Sequence, residues 1–559
     1  MKNYKLEVVK QIKEVFPEFI ESSISIPPNS EMGDFAVPCF AYKQFKNPQE
    51  ASHQLTNLFI EKNKGDLISE FRQVGAYVNI YLNKKNFMKN VIDSIDENFA
   101  KDEVKKNIVI DYSSPNVAKN MGLHNLRSTV IGQCLYNVYK YLGYNVIGVN
   151  HLGDWGTQFG KLIWALEHWS SFEELEEKGI LFLNEMYVRF HEIAEKENLE
   201  KMESEAREWF KKIENNDPIA KKWWELFVKI SLKDYDEIYK RLNVKFDYTT
   251  GESFYIKFLE ETLKKLEDKK LTSISEGALV VEFDENEKMP PCLLTKSDGA
   301  TLYGTRDIAA IMYRLKHFHA DKLLYVVDIS QELHFKQVFK VMEMFDETTK
   351  EKLEHIIFGR LSFADASMST RKGNIVPLKE VLDKSKEKVL EIIKEKNPDL
   401  ETKEDVAEIV GVGAIIFGDL IHDRLHNIVF EWDKILDFQG ETAPYIQYTY
   451  ARLKSILRKE KSKEYDVEKL NDELEYTILK KISLLKEVLE TVVKQNKPSV
   501  LCKFLIELCQ LANSYYVKVP ILKEENEEIK NSRLFLIEKI SEVIKISTNL
   551  INIKVPEEM

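Results

Sequence analysis

Cysteine is scarce in this chain, with five in 559 residues: Cys39, Cys134, Cys292, Cys502 and Cys509. None forms a Cys-x-x-Cys pair, and Cys502 and Cys509 lie seven apart on a helical pattern. A structural zinc is therefore not expected, and buried, reduced thiols fit the cytoplasm. Long apolar runs are missing as well. The longest, Ile409 to Gly418, is too short to cross a bilayer, so no membrane partner is expected. The N-terminus, MKNYKLEVVKQIKEVF, is charged and amphipathic throughout, with no apolar core or cleavage site, so no secretory signal is expected. Net positive charge is also lacking. A formal balance of −12 weighs weakly against a nucleic-acid partner, although local basic patches on a large enzyme still bind RNA. No internal repeat or low-complexity tract is evident.

The sequence does have ample core material. It is 44% hydrophobic and 31% charged, which excludes disorder and gives room for about three or four domains at roughly 150 residues each. Residues 1–85 read as a small α+β module: a helix over Lys5–Phe16, a Pro27-Pro28 loop, a helix over Pro48–Asn63, then an alternating strand, AYVNIYL, at Ala76–Leu82. A lysine-rich stretch at 89–106 reads as a helical connector. A short buried-strand pattern, IVIDY, follows at Ile108–Tyr112, then a helix from about Asn125 to Leu142 and a strand, YNVIGVN, at Tyr144–Asn150. Strand, crossover helix, parallel strand opens a doubly wound sheet, whose first strand-to-helix turn is a place for phosphates. Residues 170–245 are helical, charged and Trp-rich, and read as an insertion. Strand patterns return at Gly277–Phe283 and Lys322–Asp328, and from about Glu380 the period is helical, punctuated by Pro444 and Pro520.

Six segments stand out, and each taken alone has an ordinary explanation. Asp111-Tyr-Ser-Ser-Pro-Asn-Val-Ala-Lys119 followed by Asn120-Met-Gly-Leu-His-Asn125-Leu-Arg-Ser128 is a βα turn that places backbone N–H groups, Lys119 and Arg127 near an anion. His151-Leu-Gly-Asp-Trp-Gly-Thr-Gln-Phe-Gly160 lies at the next strand's carboxyl end. Leu302-Tyr-Gly-Thr-Arg-Asp307 sets Tyr303 and Asp307 four apart, on one helix face, a pairing suited to a guanidinium. Asp328-Ile-Ser-Gln331-Glu-Leu-His334 enters a helix from a strand end. Ser367-Met368-Ser369-Thr-Arg371-Lys372-Gly373 is a doubly basic loop suited to a polyphosphate. Glu441 to Arg452, with Tyr448, mixes tyrosine and arginine in helical period, a pattern for RNA contact or plain helix packing.

Taken together and in this order, SSPNVAK, LRSTVIG, NHLGDWGTQFG, MSTRKG and PYIQYTYAR resemble the arginyl-tRNA synthetases, which are class I aminoacyl-tRNA synthetases. Glu31-Met-Gly-Asp-Phe-Ala-Val-Pro38 and Gly75 to Asn83 look like that family's N-terminal domain, and Val555-Pro-Glu-Glu-Met559 looks like its C-terminus, so a complete chain is expected. The resemblance implies an α/β Rossmann-type catalytic domain at 105–378 with a helical insertion at about 170–245. It implies an N-terminal α+β domain at 1–88 that grips the tRNA elbow, and an all-α linker and anticodon-binding domain at 379–559. It also implies activation of L-arginine by ATP and Mg²⁺, transfer to the 3′ end of tRNA(Arg), dependence on bound tRNA, and a monomer. Carried over by position, Asp111, Asn116, Tyr303, Asp307 and Gln331 hold the arginine. Ser114, Gly122, His124, Asn125, His334, Met368, Ser369 and Lys372 meet ATP. Lys119, His124, Asn125, Arg371 and Lys372 carry the catalysis, and Tyr448 and Arg452 meet the tRNA. No protein-held metal is expected.

Two departures from the family pattern follow. Its first signature, His-x-Gly-His, falls on Gly122, Leu123, His124 and Asn125, so both histidines are displaced. Losing a transition-state donor costs on the order of 10²–10³ in rate. Asn125 still donates without charge, and His124 is expected to serve only if the loop shifts by one residue. The second signature has Ser367 where the family has lysine, with Lys119 as its substitute. Two readings stay open: a working arginyl-tRNA synthetase with an unusual ATP loop, or a paralogue that binds arginine or tRNA with little or no aminoacylation.

Overall fold

The computed structural model describes residues 4–27, 29–63, 65–196, 199–297, 299–364 and 376–559. In the N-terminal module the helices Tyr4–Val15 and Pro48–Lys62 accompany an antiparallel sheet ordered Phe35–Pro38, Tyr77–Leu82, Ile68–Val74. Asn47 starts the second helix by accepting the Glu50 N–H at 2.8 Å, with Pro48 in the first turn, where no amide is needed. The connector departs from the helical expectation over 89–106. The helix is Lys84–Ser94 and stops there, because Ser94 Oγ donates to the Val91 carbonyl and Asp96 accepts the Asn98 N–H. Such local side-chain bonds compete with the next helical turn.

Among the described residues, the central sheet has five parallel strands: Leu353–His355, Lys322–Tyr325, Asn107–Asp111, Asn145–Asn150 and Tyr248–Thr249, in that spatial order. Asn107–Asp111 is first in the chain yet central in the sheet. Later strands flank it on both sides, so the order reverses beside it, and ligands sit at the carboxyl ends of such a reversal. The outer strands of two and three residues are too short to leave a pattern. The GALVVEF segment joins a separate antiparallel sheet of Ser273–Ser275, Ala278–Val281 and Cys292–Thr295. That sheet seats the helix Tyr303–His317: Leu294 O accepts both the Leu302 N–H at 3.0 Å and Thr305 Oγ1 at 2.5 Å.

Helices Thr157–Trp169, Phe172–Lys196, Leu199–Glu214 and Pro218–Leu242 enclose their own apolar cluster around Phe159, Phe190, Trp223 and Phe227. Phe172–Lys196 breaks at Gly179, whose φ of 70° is open to glycine at little cost. A second cluster runs unbroken from the N-terminal module through the helix Leu123–Tyr141 into the C-terminal helices. The apolar run at 409–418 lies in the helix Lys403–Leu420, where every residue from Val410 to Leu420 is buried. A helix apolar all round is a core helix. Among the described residues no helix is long and apolar enough to cross a membrane, and all five cysteines are buried and free.

Charged groups join these parts. Lys85 Nζ donates to Val467 O (3.2 Å), Glu468 O (3.0 Å), Leu470 O (2.7 Å) and Asn471 Oδ1 (3.0 Å). Asp34 accepts from Tyr476 at 2.6 Å and Lys480 at 2.8 Å. Arg127, which the sequence placed near an anion, is instead a buried staple. It donates to Asp419 Oδ2, Gly359 O and His426 O, each at 2.8 Å. Burial pushes the Asp419 carboxyl up to about 6 despite that partner, leaving it mostly ionised at pH 7.

Stranding one member of a buried pair costs about 3–5 kcal/mol, more than removing both. Arg127→Leu should therefore lower the melting temperature more than the double variant Arg127→Leu/Asp419→Leu. Equal losses in thermal denaturation would show that the pair's charges are not what that position depends on.

Candidate active site

The turn leaving the strand Asn107–Asp111 holds Ser113 (φ 71°), Ser114 (φ 49°) and Ala118 (φ 64°) in the left-handed region. For residues with a Cβ this costs on the order of 1–3 kcal/mol each and persists only where the surroundings enforce it. Here they do. The Ser113 N–H donates to Ser128 Oγ at 2.9 Å, the Ser114 N–H to Asn150 Oδ1 at 3.1 Å, and the Ala118 N–H to Ser231 Oγ at 2.9 Å. Asn116 lies against Gly153 of the neighbouring loop. A Cβ there would sit 2.1 Å from Asn116 Oδ1, so a larger residue would displace the Asn116 side chain from this position.

The helix Leu123–Tyr141 starts one turn later. Asn125 Oδ1 accepts the Gly122 N–H at 3.0 Å, the reach-back half of a capping box. The Leu123 N–H donates to Val376 O and the Leu378 N–H to Met121 O, each at 2.9 Å. The ATP-type loop is thus laced to the chain just after the second signature. Met368, Ser369, Arg371 and Lys372 lie outside the described residues.

A cleft of about 570 Å³ opens above the carboxyl ends of the strands. Asp111, Ser114, Asn116, His124, Asn125, Tyr303, Asp307, Gln331 and His334 all line it. His124 reaches it from the second helical position, with no shift of register. Lys119 is not among the lining residues: its ammonium lies 5.8 Å from the Tyr187 ring centre. It still bears on His124, since burial first and then the Lys119 charge lower that imidazole's pKa and keep it neutral at pH 7. Tyr448 and Arg452 lie elsewhere, on the helix Ala443–Lys459. The Arg452 guanidinium sits 4.7 Å from the half-exposed Tyr448 ring and 5.0 Å from that of Tyr516, and donates to Asn513 at 2.7 Å.

The cleft's charges are strongly coupled. Asp111 Oδ1 accepts from Ser114 Oγ at 2.8 Å, and its Oδ2 pairs with Arg314 Nη1 at 2.6 Å. The buried Arg314 also donates to Tyr255 Oη at 3.3 Å and to His151 Nδ1 at 3.1 Å, between the rings of Tyr255 and Tyr325. Burial and Arg314 together lower the His151 pKa; with Nδ1 accepting, the neutral ring carries its proton on Nε2. Asp307 meets His334 Nε2 at 2.5 Å. Burial raises the Asp307 carboxyl, but His334, His151 and Arg314 outweigh it and hold the group below its ordinary range, so it is ionised. His334, expected beside ATP, is therefore seated on the guanidinium-type carboxylate. Glu252 is pushed up to about 7 by burial against the pull of Arg306, with Asp307 and Asp154 adding to the rise; Arg306 Nε lies 2.9 Å away.

Glu252, His151 and Arg314 escaped the sequence reading. His151 heads a segment already singled out. Arg314 falls seven residues after Asp307, two turns along the same face, which periodicity could have revealed. Glu252 follows a two-residue strand and left no signal. The arrangement suits a planar cation held between two carboxylates and a phenol, beside a loop that presents neutral donors to an anion.

Comparisons with known proteins agree in all three parts. The arginyl tRNA synthetase N terminal domain matches residues 2–82, the catalytic domain of class I (R) tRNA synthetases matches 88–432, and the DALR anticodon binding domain matches 446–559. The arginine–tRNA ligase of Alkaliphilus metalliredigens is 42% identical, with 98% of each chain covered. That of Clostridium perfringens is 42% identical, with 100% of each covered. Among solved structures, the arginyl-tRNA synthetase of Thermus thermophilus shares the fold at a TM-score of 0.84 and 22% identity, covering 99% of this chain and 100% of its own. That of Plasmodium falciparum does so at 0.81 and 24%, covering 99% and 98%. Matched end to end at that identity, and over most of its length by the catalytic domain, this chain belongs to the arginyl-tRNA synthetase family.

Proposed function

We propose that this chain is an arginine–tRNA ligase that joins L-arginine to ATP as arginyl-adenylate and passes the arginyl group to the 3′ end of tRNA(Arg). The observation that carries this reading is the single cleft in which Asp307, Glu252, Tyr303 and Gln331 face Ser114, His124 and Asn125 across the sheet's reversal. The relatives described above bear the name arginine–tRNA ligase, and nothing in them supports the binding-only paralogue.

In the first step an oxygen of the arginine carboxylate attacks the α-phosphorus of ATP. A new P–O bond forms, the bond to the β-phosphate oxygen breaks, and pyrophosphate leaves. Asp307 and Glu252 clasp the guanidinium, with Tyr303 and Gln331 closing the pocket. A lysine lacks the planar fork of donors and would leave those groups unpaired. Asp111 and Asn116 hold the amino-acid end. On the ATP side, Ser114, the imidazole of His124 and the carboxamide of Asn125 supply hydrogen bonds where the family pattern has two histidines. Gly122 anchors the cap behind them, and the family resemblance assigns Met368, Ser369, Arg371 and Lys372 to the phosphate side, where Lys119, now over the Tyr187 ring, would have to turn to join them. ATP would bring Mg²⁺ with it, bound to the triphosphate. In the second step a hydroxyl at the tRNA 3′ end attacks the arginyl carbonyl and AMP leaves. Residues 1–88 grip the tRNA elbow, and 379–559 read the anticodon, with Tyr448 and Arg452 offering a ring-and-cation platform to bases. The buried, free cysteines fit a cytoplasmic protein, and the family resemblance implies a monomer.

Arginine-dependent ATP–pyrophosphate exchange in the presence of tRNA tests the reading; tRNA binding without exchange would return the chain to the paralogue class. Asp307→Asn should lower kcat/KM for arginine by on the order of 10–100-fold, the worth of a charge-assisted hydrogen bond. A pH dependence follows from Glu252. Below about 7 it carries a proton that an incoming guanidinium must displace. The KM for arginine should therefore fall as pH rises from 6 to 8, by about tenfold at most per unit. Glu252→Gln should flatten that profile, and a variant that retains the slope would assign it to another group.

A further inference from the structure

The helical insertion has no role legible in its composition, yet its last helix, Pro218–Leu242, points three hydroxyls at the strained turn. Ser231, Tyr235 and Tyr239 stand four apart, on one face, and all are buried. Ser231 Oγ accepts the N–H of left-handed Ala118 at 2.9 Å and donates to Phe227 O at 2.7 Å. The Tyr235 hydroxyl lies 2.6 Å from Asn116 O and 2.7 Å from Lys119 O, so its single hydrogen is shared between the two ends of the segment 116–119. Asn150 Nδ2 donates to Tyr239 Oη at 3.2 Å, and that phenol also shares a hydrogen bond with the Oγ of left-handed Ser113 at 2.8 Å.

The helix does not need these bonds to stay in place. Trp223 stacks on Phe172 with ring centres 3.6 Å apart. Arg241 pairs with Glu408 at 2.7 Å and Asp383 at 2.5 Å, and Leu242 O accepts from Asn552 at 2.5 Å. The hydroxyls act on the turn, which is unfavourable without them.

We infer that Ser231, Tyr235 and Tyr239 are positioning residues that hold the substrate-side turn in its reactive shape, Tyr235 fixing the span between Asn116 at the amino-acid end and Lys119 at the phosphate end. This rests on the ligase reading given above. Pre-set geometry of this kind acts on the transition state more than on ground-state binding, and a misplacement of about 1 Å is worth about 10²-fold in rate.

The test is arginine-dependent ATP–pyrophosphate exchange with tRNA present, on the full-length chain and its variants. Tyr235→Phe, which removes one oxygen and keeps the ring, should lower kcat by about 10–100-fold, with both KM values within about threefold. Tyr239→Phe and Ser231→Ala should act in the same direction. Ala118→Gly, which makes the left-handed position inexpensive, should restore a large part of the loss in the Tyr235→Phe background. Lys221→Ala on the same helix should leave exchange unchanged. An unaltered kcat in Tyr235→Phe, a loss that tracks melting temperature without rescue by Ala118→Gly, or an equal loss in Lys221→Ala would overturn the inference. Absence of exchange in the wild-type chain would instead overturn the ligase reading on which it rests.

Discussion

A strand that ends in a carboxylate and must pass at once into a turn with left-handed residues does not hold that shape by itself. Ser113, Ser114 and Ala118 sit where a Cβ is unfavourable, and each is paid for by a bond from another element: Ser128 on the following helix, Asn150 on the neighbouring strand, Ser231 on the insertion. The turn is the meeting point of three parts of the chain. Backbone groups that a looser loop would show to water are committed here to neighbours, which leaves the side chains of Ser114, Asn116, His124 and Asn125 facing the cleft.

The same economy governs the cleft's charge. Two carboxylates and a carboxyl near neutrality would repel one another in so small a volume. Arg314 offsets this from beneath, pairing with Asp111 and fixing the tautomer of His151, while His334 keeps Asp307 ionised. The pocket therefore presents one strong anion, Asp307, and one adjustable group, Glu252, to an incoming cation. The overall charge of −12 says nothing about this, because the groups that matter are paired locally and buried.

Polar staples, buried at Arg127 and Asp34 and half-buried at Lys85, also tie the parts of the chain together. Arg127 leaves the ATP-type loop's helix for Asp419 and two carbonyls of the C-terminal half, and Lys85 and Asp34 tie the N-terminal module to the C-terminal helices. Such bonds fix geometry more than they stabilise, since desolvation offsets much of their attraction.

The order of the motifs, the doubly wound opening, the pairing of Tyr303 with Asp307 and the helical C-terminal half were legible in the sequence, because helical period and strand-to-helix turns are local signals. The connector after Ser94, the two- and three-residue edge strands and the separate sheet holding Ala278–Val281 were not, since side-chain bonds and sheet partners decide them. Arg127 shows the limit most clearly. Beside a phosphate-type loop it read as a positive charge for an anion, but the direction in which helix packing turns its side chain made it a staple. Lys119 turned toward Tyr187, and His124 reached the cleft without the shift that alignment alone demanded. The sequence by itself determined which residue types the chain carries and in what order they enter each turn. Only the tertiary structure decided which of them face the cleft and which hold the others there, because orientation and burial depend on contacts between segments hundreds of residues apart.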